Sequence, residues 1–540
     1  MFASRVSAAS TATSSVTQRL IVSRRRCRHL STAPSTTTWD YDVLILGGGI
    51  VGASLACRLA ETLARPHGLK IGLLESRPPP PLASCLAPDR LPDPRVYALA
   101  PASVAFLESV GAWQLIGDRR QEYQYMQVWE GGASGSIRFD ASQATVMGVG
   151  STSRSSSSNS NGDEKSKKKL GTMAENSTVQ AALFQRMEAL QAEGLLELCC
   201  PAQVQSMAFD NTGGDPAGPA RISWVDKDGN KKEVTTRLLV GADGAASRVK
   251  KVRGLPSWGW DYGQRALVAT VSLEEGGSTP APAPAPALAP APAPADGTKP
   301  ARPPSTAWQI FLPEGPLALL PLWGPYHSIV WSTTPAEADR LKALTKENFL
   351  TELNLKLQHP VGLLEPPSLP PFLPSSLSKA IGGVHHLLES VVVSAALNQG
   401  FHLPPLVHDL CGPRLSFDLR AEHATAYVGA RAVLVGDAAH TIHPMAGQGL
   451  NLGIADVVAL AELLEGGVEE GQDLGSVVFL KRYEKERQVA NLGMLGGLTA
   501  LHQLYGRREG GWKWVRNVGL GALNGLGPLK AKMAAVAMGK

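Results

Sequence analysis

Three glycine-rich turns, each with an acidic residue in or near it, are the parts of this sequence best suited to chemistry. The first has the pattern G-x-G-x-x-G at Gly47, Gly49 and Gly52. In such a turn the first glycine permits a tight bend, the second lets a pyrophosphate approach the backbone, and the third lets helix and strand pack closely. The helix that follows presents free N–H groups and a positive dipole end to phosphate. The sequence has no second G-x-G-x-x-G, so it predicts one dedicated dinucleotide site.

An acidic residue at a suitable distance narrows the choice of dinucleotide. Glu75 stands 23 residues after Gly52, at the end of the next apolar run. This is close to the spacing at which an acid binds a ribose hydroxyl in dinucleotide-binding proteins. An acid there favours an unphosphorylated ribose, as in FAD or NAD, over NADP.

The other two turns each place an aspartate directly after a buried apolar run. They are GADG at 241–244, with Asp243 and Gly244, and GDAAH at 436–440, with Gly436 and Asp437. Ligands of open α/β sheets bind where the strands end, so both aspartates are candidates for binding. After the GDAAH turn a loop leads into a helix, whose N-terminus would stabilise negative charge, such as that of a reduced flavin. The candidate residues of this loop and helix start are Pro444, Gly447, Gln448, Gly449, Leu450 and Asn451.

The elements that must position these turns follow a strand–helix–strand order. YDVLILGGG (41–49) predicts a buried strand that runs into the first turn, VGASLACRLAETLA (51–64) predicts a helix, and KIGLLESR (70–77) predicts a second strand. Such a βαβ unit implies a parallel sheet and an α/β fold. Buried strands are also predicted before the other two turns.

Composition and charge exclude several other classes of protein. The chain has 540 residues, 44% hydrophobic and 18% charged, which is enough to bury a large core. No apolar run reaches the ~18 residues of a transmembrane helix. Six cysteines without a C-x-x-C pair exclude a disulfide scaffold and argue against a structural zinc site. Outside residues 1–39, 46 basic and 47 acidic residues remain, which argues against a nucleic-acid binder.

Three segments have compositions that do not predict a packed structure. Residues 1–39 contain six arginines, many Ser and Thr, and no acid. This composition predicts a mitochondrial transit peptide, with a disordered tail and a chloroplast address as alternatives. Residues 151–169 are Ser-rich and then charged, which predicts a disordered insert, and residues 280–295 alternate Pro and Ala, which favours polyproline II. We interpret both inserts as spacers.

The three turns, in this order, make the sequence resemble the FAD-dependent aromatic hydroxylases (class A flavoprotein monooxygenases) over about residues 40–530. The motifs that carry the resemblance are the glycine fingerprint, GADGxxS and GDAAHxxxPxxGQGLN. Further segments look like the ubiquinone-biosynthesis branch of this family. Taken together with the N-terminal segment, they look like the mitochondrial coenzyme Q biosynthesis monooxygenases of that branch. These segments are 93–113, 173–183, 311–323, 330–338 and 420–440.

The resemblance implies a Rossmann-like FAD-binding domain with an inserted β-sheet substrate domain and a C-terminal helical segment. The FAD-binding domain would consist of 40–150, 170–256 and 421–480, the substrate domain of 257–420, and the basic C-terminal helical region of 481–540. Strand-like segments at 308–315, 317–323 and 327–334 would form a sheet that covers the flavin. Candidates for the substrate wall on this sheet, or alternatively for its plain core, are Phe311, Leu319, Leu320 and Trp331.

The resemblance also implies roles around FAD. The fingerprint glycines and Glu75 would hold the ADP half, Asp243 would lie near the pyrophosphate, and Asp437 would bind the ribityl chain. Arg95 and Gln180 would contact the cofactor, although an arginine that follows a proline is also typical of a surface ion pair.

The loop from Pro444 to Asn451 would line the flavin ring. His440 and His443 flank this loop. We expect no metal there, because the flavin motif explains the segment. A role in positioning substrate, or simple packing, remains open for both histidines.

In such enzymes FAD carries the difficult chemistry, so no covalent, acid–base or metal residue is implied. The reduced flavin reacts with O₂ to give a C4a-hydroperoxide, whose distal oxygen a phenol ring attacks. For this branch the implied substrate is a polyprenylated 4-hydroxybenzoate-type phenol, hydroxylated at C5. The alternatives are another class A hydroxylase, an isoprenoid flavin reductase, or a non-catalytic FAD-bound component of a biosynthetic complex.

Partners and location follow from the same resemblance and from the charge of the C-terminus. Residues 481–540 carry eleven Lys or Arg and three Glu. Such a segment predicts docking on an anionic membrane or on an acidic ferredoxin, with a solvated helix face as the alternative. The implied electron donor is ferredoxin with ferredoxin reductase, and NAD(P)H is the alternative. We expect a peripheral protein on the matrix side of the mitochondrial inner membrane, in a ubiquinone-biosynthesis complex, with no nucleic-acid partner.

Overall fold

A computed structural model describes residues 39–131, 136–141, 169–210, 218–273, 305–358, 402–443 and 447–506. Residues 1–38, 142–168, 274–304 and 507–540 lie outside these ranges, and so does Pro444. The predictions of a transit peptide, of two spacer inserts and of a docking segment beyond residue 506 therefore stay predictions.

The described elements alternate strands and helices through the first half of the chain and are richer in strands around residues 257–424. The strands are β1 Tyr41–Leu46, β2 Ile71–Leu74, β3 Val96–Leu99, β4 Arg120–Tyr123, β5 Tyr125–Glu130, β6 Ser136–Asp140, β7 Gly171–Glu175, β8 Glu197–Cys199, β9 Gln203–Ala208, β10 Ala220–Val225, β11 Lys231–Gly241, β12 Ser257–Leu273, β13 Thr306–Leu312, β14 Gly315–Pro321, β15 Tyr326–Thr333, β16 Val407–Leu410, β17 Leu415–Ala424, β18 Val428–Gly429, β19 Ala432–Leu434 and β20 His440–Thr441.

The helices are α1 Ile50–Leu59, which continues as a π-helical turn Ala60–Ala64, α2 Arg65–His67, α3 Leu82–Cys85, α4 Pro101–Ser109, α5 Asn176–Ala192, α6 Arg248–Arg253, α7 Pro335–Ala343, α8 Lys346–Leu357, α9 Gly449–Glu469 and α10 Val477–Gly506. The helix α1 begins at the first predicted turn, and α9 begins after the loop that follows the third turn. Short 3₁₀ turns occur at Trp113–Ile116 and Gly436–Ala438.

The first sheet is the parallel sheet that the βαβ pattern predicts. Within the described residues its order is β18-β19-β11-β1-β2-β8, and β10 and β9 extend it antiparallel from β11. The pairs β1–β11, β1–β2, β11–β19 and β2–β8 are all parallel. Parallel strands of this kind are covered on both faces, and Val43, Leu44 and Ile45 of the central strand are accordingly fully buried. All three glycine-rich turns leave this sheet at the same edge, because they follow the parallel strands β1, β11 and β19.

The second sheet is mostly antiparallel and corresponds to the predicted substrate domain. Its order in the described part of the chain is β20-β17-β12-β15-β14-β13-β5-β6, with β16 on β12. The pair β13–β5 is parallel, whereas the others are antiparallel. β5 and β6 come from 125–140, which the predicted boundaries assign to the FAD-binding part. The chain therefore contributes two strands to the second sheet before residue 257, where the predicted substrate domain begins.

Two smaller features connect the sheets. The strands β3, β7 and β4 form a three-stranded sheet, which contacts α9 through β3. The C-terminal helix α10 packs against α9 and β18. None of the described helices combines the length and the apolar character needed to cross a bilayer.

Candidate active site

A cavity of about 830 Å³ lies between the turns of the first sheet and one face of the second sheet. All three glycine-rich turns reach it, through Gly49, Gly244 and Asp437. The first residues of α1 and α9, Ile50 and Gly449, also line it, and neither helix has an acidic side chain in its first turn. Two positive helix ends therefore meet at one cavity, which suits an anionic group. We call this wall, made of the three turns and the two helix starts, the cradle.

The fingerprint glycines have three different environments. Gly47 has a φ of +107°, and a Cβ there would collide with the carbonyl of Ala242. A Cβ on Gly52 would collide with the carbonyl of Gly47, whereas a Cβ on Gly49 would meet nothing within 4 Å. Gly47 and Gly52 therefore have the turn and packing roles predicted from the motif. Contact between Gly49 and a pyrophosphate stays a prediction, which this open space beside a helix start fits.

Glu75 and Gln180 both hold the peptide groups of Gly48. The Glu75 carboxylate accepts a hydrogen bond from the Gly48 N–H at 2.6 Å, and also from the Arg77 N–H at 2.9 Å. The Gln180 Nε2 donates to the Gly48 carbonyl at 3.0 Å. The two side chains thus hold the N–H and the carbonyl of one residue of the fingerprint turn. Their direct contact with the cofactor stays a prediction.

Asp243 has one engaged and one unpaired carboxylate oxygen. Its Oδ2 accepts from the Arg248 N–H at 2.6 Å and from the Val249 N–H at 3.3 Å, at the start of α6. Its Oδ1 is buried and has no hydrogen-bond partner within the described residues. Because buried polar atoms are normally satisfied, this oxygen fits a site completed by a ligand or a water molecule.

Asp437 is accessible from the cavity and lies next to Tyr97, which also lines it. The surrounding protein desolvates the Asp437 carboxyl and raises its pKa, an effect that His440 opposes and Asp456 reinforces. Burial, and then the charge of Asp437, raises the pKa of Tyr97 to about 12. Hydroxyl groups of a polyol chain would supply the hydrogen bonds that this carboxyl loses to desolvation.

A buried network, not expected from the sequence, holds the turn that carries Asp437. Asp456 of α9 is fully buried, and its Oδ2 accepts from the Gly436 N–H at 3.0 Å and lies 2.6 Å from the His440 Nε2. Its Oδ1 accepts from the Arg487 Nε of α10 at 2.8 Å. Burial opposes ionisation of Asp456, but the charges and hydrogen bonds of His440 and Arg487 outweigh it and lower its pKa. A polar residue inside the apolar pattern of α9 was the signal for this role, whereas nothing marked Arg487.

The loop before α9 is tied to the neighbouring strand through Asn451. The Asn451 Oδ1 accepts from the Ala100 N–H and the Ser103 hydroxyl, both at 2.8 Å, and its Nδ2 donates to the Ala98 carbonyl at 2.9 Å. The Asn451 side chain is therefore fully used in holding α9 against β3 and α4. Gly447, Gln448 and Gly449 line the cavity as the loop prediction expects. Pro444 lies outside the described residues, so its role stays a prediction.

Arg95 lies at the edge of the cavity and remains accessible. Its side chain is 62% exposed, and its Nε is 3.7 Å from the Asp93 Oδ1. Arg95 thus lines the cavity and has an acidic neighbour whose own side chain is 9% exposed. Contact of Arg95 with the cofactor stays a prediction.

The opposite wall of the cavity, which we call the roof, is formed by side chains of β5, β6 and β12–β15. Six residues in register across these six strands all line it: Ile137, Val128, Gln309, Ala318, Val330 and Val268. Since successive strand residues face opposite sides, the residues between them belong to the other face. That face packs on α7 and α8 around Leu341, Phe349 and Leu353.

This alternation decides between the two alternatives for the four wall candidates. Phe311 and Leu320 line the cavity, which fits the substrate wall. Leu319 and Trp331 fit the alternative of a plain sheet core, because they are 0% and 3% exposed in the core under α7 and α8. All four are apolar residues of predicted strands, and only the pairing register reveals which face each one occupies.

The histidines near the loop are packed. The His443 ring lies edge-on to Tyr262 with centroids 4.7 Å apart, and His440 is bonded to Asp456. No group of three His, Cys, Asp or Glu within the described ranges is placed to hold a metal ion.

The described part of the basic C-terminal region is largely engaged within the protein. Arg487 is buried on Asp456, Lys481 pairs with Glu484, and Arg482 lies 3.8 Å from Glu470. Lys481 and Arg482 nevertheless remain 51% and 64% exposed, so docking through this region stays a prediction.

A family model described as FAD binding domain matches residues 40–366 and 392–494 of this chain. Among curated proteins, the ubiquinone biosynthesis monooxygenase COQ6, mitochondrial, of Xenopus tropicalis is 32% identical over 514 residues, covering 94% of each chain. Its counterpart from Homo sapiens is 32% identical and covers 93% of each chain. The ubiquinone hydroxylase UbiL of Rhodospirillum rubrum is 30% identical and covers 94% of this chain and 92% of its own.

Solved structures resemble the fold at low sequence identity. The p-nitrophenol 4-monooxygenase PnpA of Pseudomonas putida is 16% identical, covers 92% of this chain and 98% of its own, and has a TM-score of 0.59. PqsL of Pseudomonas aeruginosa, a probable FAD-dependent monooxygenase, is 19% identical, covers 89% and 99%, and has a TM-score of 0.55. The predicted fold class, including the inserted sheet and the C-terminal helix, is confirmed.

Proposed function

The chain belongs to the FAD binding domain family and, within it, to the ubiquinone biosynthesis monooxygenases, and we propose that it hydroxylates C5 of a polyprenylated 4-hydroxybenzoate-type precursor of ubiquinone. Membership makes the chain an FAD-dependent monooxygenase, so the predicted enzyme class and cofactor are confirmed. The ring position, the electron donor and the exact place in the cell belong to the proposal.

The observation that carries the proposal is one cavity with two unlike walls. The cradle supplies helix ends, open glycine positions and the Asp437 carboxyl, which fit the phosphates and polyol chain of FAD. The roof supplies a broad apolar surface, which fits an aromatic ring with an isoprenoid chain. A volume of about 830 Å³ has room for a flavin ring and a substrate ring together.

The division of labour follows from these walls. When bound and reduced, FAD supplies the activation of O₂. The reaction takes up one O₂, two electrons and two protons, converts one ring C–H into C–OH, and releases the other oxygen atom as water. The cradle fixes the cofactor through backbone groups and Asp437. The apolar roof excludes water and holds the ring close to the reacting oxygen, within about 3–3.5 Å in a productive complex.

The test is oxygen incorporation by the purified protein from Asp40 onward. We expect it to retain non-covalent FAD and, with ¹⁸O₂ and reduced ferredoxin, to add one labelled oxygen to a short-chain 3-prenyl-4-hydroxybenzoate, with NMR placing it at C5. Asp437→Ala is the control with weakened FAD binding. Retained FAD without any labelled product would contradict the proposal and favour a non-catalytic component. A labelled product only from aromatics without a prenyl group would favour another hydroxylase.

We propose ferredoxin with its reductase as the electron donor and a peripheral position on the matrix side of the mitochondrial inner membrane. The arginine-rich residues 1–39 and the mitochondrial relatives support this location. Rapid reduction of the bound FAD by NADPH alone, with no ferredoxin present, would contradict the proposed donor. Membership in a ubiquinone-biosynthesis complex is tested by copurification with other enzymes of that synthesis.

A further inference from the structure

One residue of the roof differs in chemistry from its neighbours. Gln309 lies in the middle of the row that crosses the six strands, between Val128 on β5 and Ala318 on β14. Along β13 its neighbours on the same face are Ala307 and Phe311, which also line the cavity. The amide is therefore surrounded by apolar side chains on all four sides.

The Gln309 side chain has no hydrogen-bond partner among the residues that the structure describes, although the residue is only 6% exposed. Buried amides in native proteins are almost always hydrogen-bonded, because an unsatisfied amide costs free energy. An unsatisfied amide that faces a cavity points to a ligand group that completes its hydrogen bonds.

Gln127 on the neighbouring strand shows the ordinary arrangement. It is 2% exposed and adjoins Val128, so it faces the opposite side of the sheet. Its Nε2 donates to the His402 carbonyl at 2.6 Å, and its Oε1 accepts from the His402 N–H at 3.1 Å. The same side chain is thus satisfied on one face of the sheet and unsatisfied on the face that forms the roof.

On the basis of the proposed function, we infer that Gln309 binds the phenolic hydroxyl of the substrate ring and so sets the position of the ring under the roof. An amide offers one donor group and one acceptor oxygen, which match a hydroxyl that both accepts and donates. The carboxylate of the substrate only accepts hydrogen bonds, so an arginine suits it better than an amide does. The cavity lining includes two arginines for this group, Arg95 and Arg420. The apolar neighbours of Gln309 are left for the isoprenoid chain.

The inference makes Gln309 a specificity-determining residue. A site built to hydrogen-bond a hydroxyl rejects an analogue that lacks it, because the buried amide is then left unpaired. Gln309→Leu keeps the volume and removes the amide. It should therefore bind the phenol more weakly, and the analogue without the hydroxyl at least as well as wild type does.

The experiment measures dissociation constants from the change in flavin absorbance with two probes, 3-geranyl-4-hydroxybenzoate and 3-geranylbenzoate. We expect wild type to prefer the phenol by about tenfold to a hundredfold and Gln309→Leu to lose most of this preference. Turnover of the phenol by Gln309→Leu should show a raised KM, and loss of regiospecificity should appear as a mixture of hydroxylated products.

Gln127→Leu is the matched control, because it makes the same change on the adjacent strand but on the opposite face. It should lower the thermal midpoint and leave the preference for the phenol unchanged. Ser332→Ala tests a second polar side chain of the roof, on a residue that is 2% exposed. Unaltered FAD content in each variant shows that the cradle is intact.

The inference is overturned if Gln309→Leu keeps the wild-type preference, or if Gln127→Leu loses it to the same extent. If Gln309→Leu does not fold, Gln309→Met removes the same amide with a flexible side chain. Failure of the proposed function is distinguishable, since wild type itself would then give no labelled product with the phenol.

Discussion

The cradle and the roof enclose one cavity, yet they depend on the chain in different ways. In the cradle, the proposed function resides in the main chain. A Cβ would collide with neighbouring atoms at Gly47 and Gly52, and at Gly49 it would enter the open space proposed for the pyrophosphate. In the roof, the function resides in side chains of alternate strand residues, which other apolar residues of similar volume can replace. Substitutions in the cradle should therefore abolish binding of FAD, whereas substitutions in the roof should weaken binding of the substrate to different degrees.

The strongest test of this contrast is Gly52→Val. A side chain at Gly52 would collide with the backbone carbonyl of Gly47 and would press on the Cβ of Ala242. We expect complete loss of bound FAD, measured by flavin absorbance after gel filtration, and little soluble protein. Gly466→Ala is the control, because a Cβ there meets nothing within 4 Å and the position is helical. It should retain FAD and gain about 0.5–1 kcal/mol of stability.

The second test removes the support beneath the cradle. Asp456→Ala leaves Arg487 and His440 without their buried partner and frees the Gly436 N–H. Breaking such a buried pair costs about 3–5 kcal/mol in the free energy of unfolding. Denaturant unfolding measures this loss, and FAD affinity should fall with it because Asp437 follows Gly436. Glu465→Ala, on the same helix, removes a partly exposed ion pair with Arg58 and should cost about 0–1 kcal/mol.

The contacts of Asp456 with His440 and Arg487 also predict that the stability of the protein depends on pH. The folded-state pKa of Asp456 lies below its ordinary value, since His440 and Arg487 favour the carboxylate. Its contribution is therefore present above the unfolded-state pKa of about 3.9, and is lost as pH falls through the lower folded-state value. The difference in unfolding free energy between wild type and Asp456→Ala should shrink as the pH falls from about 5 into stronger acid. A difference that grows in acid would contradict this assignment.

Two neighbours on β14 test the roof itself. Leu319 is fully buried under α7 and α8, whereas Leu320 faces the cavity. Leu319→Ala should lose about 2–5 kcal/mol of stability, because it opens a void in a packed core. Leu320→Ala should lose less stability but weaken binding of a prenylated phenol. Equal effects of both substitutions on substrate affinity would mean that the two faces are not separate.

The contrast between the cradle and the roof explains which parts of the site could be predicted from the sequence. The cradle was predictable because its chemistry requires particular residue types at fixed spacing, and Gly47, Gly52 and Asp437 stand where the motifs place them. The roof was predictable only as a sheet of apolar strands. Trp331 and Leu320 look alike in the sequence, and the register between strands far apart in the chain decides which one meets the cavity.

The supports of the cradle escaped prediction for a related reason. Asn451 belongs to the loop motif, but its side chain holds β3 and α4, more than 340 residues away in the chain. Arg487 reaches Asp456 from another helix. Hydrogen bonds between distant segments leave no periodic pattern in the sequence, so only the fold reveals them.

The smallest expected effect comes from the segment that leads into the roof. Deletion of 280–295 leaves sixteen residues between the end of β12 at Leu273 and the start of β13 at Thr306. The sheet order places β15 and β14 between these strands. Three strand spacings of about 4.8 Å give roughly 14 Å to be crossed, and sixteen residues reach about 50 Å at most. Halving a loop changes its closure free energy by only about 0.6 kcal/mol, so FAD content, thermal midpoint and turnover should remain near wild type. If turnover is lost while FAD content is kept, the segment takes part in substrate entry or in binding a partner. The function of the roof would then depend on this segment as well as on its strands.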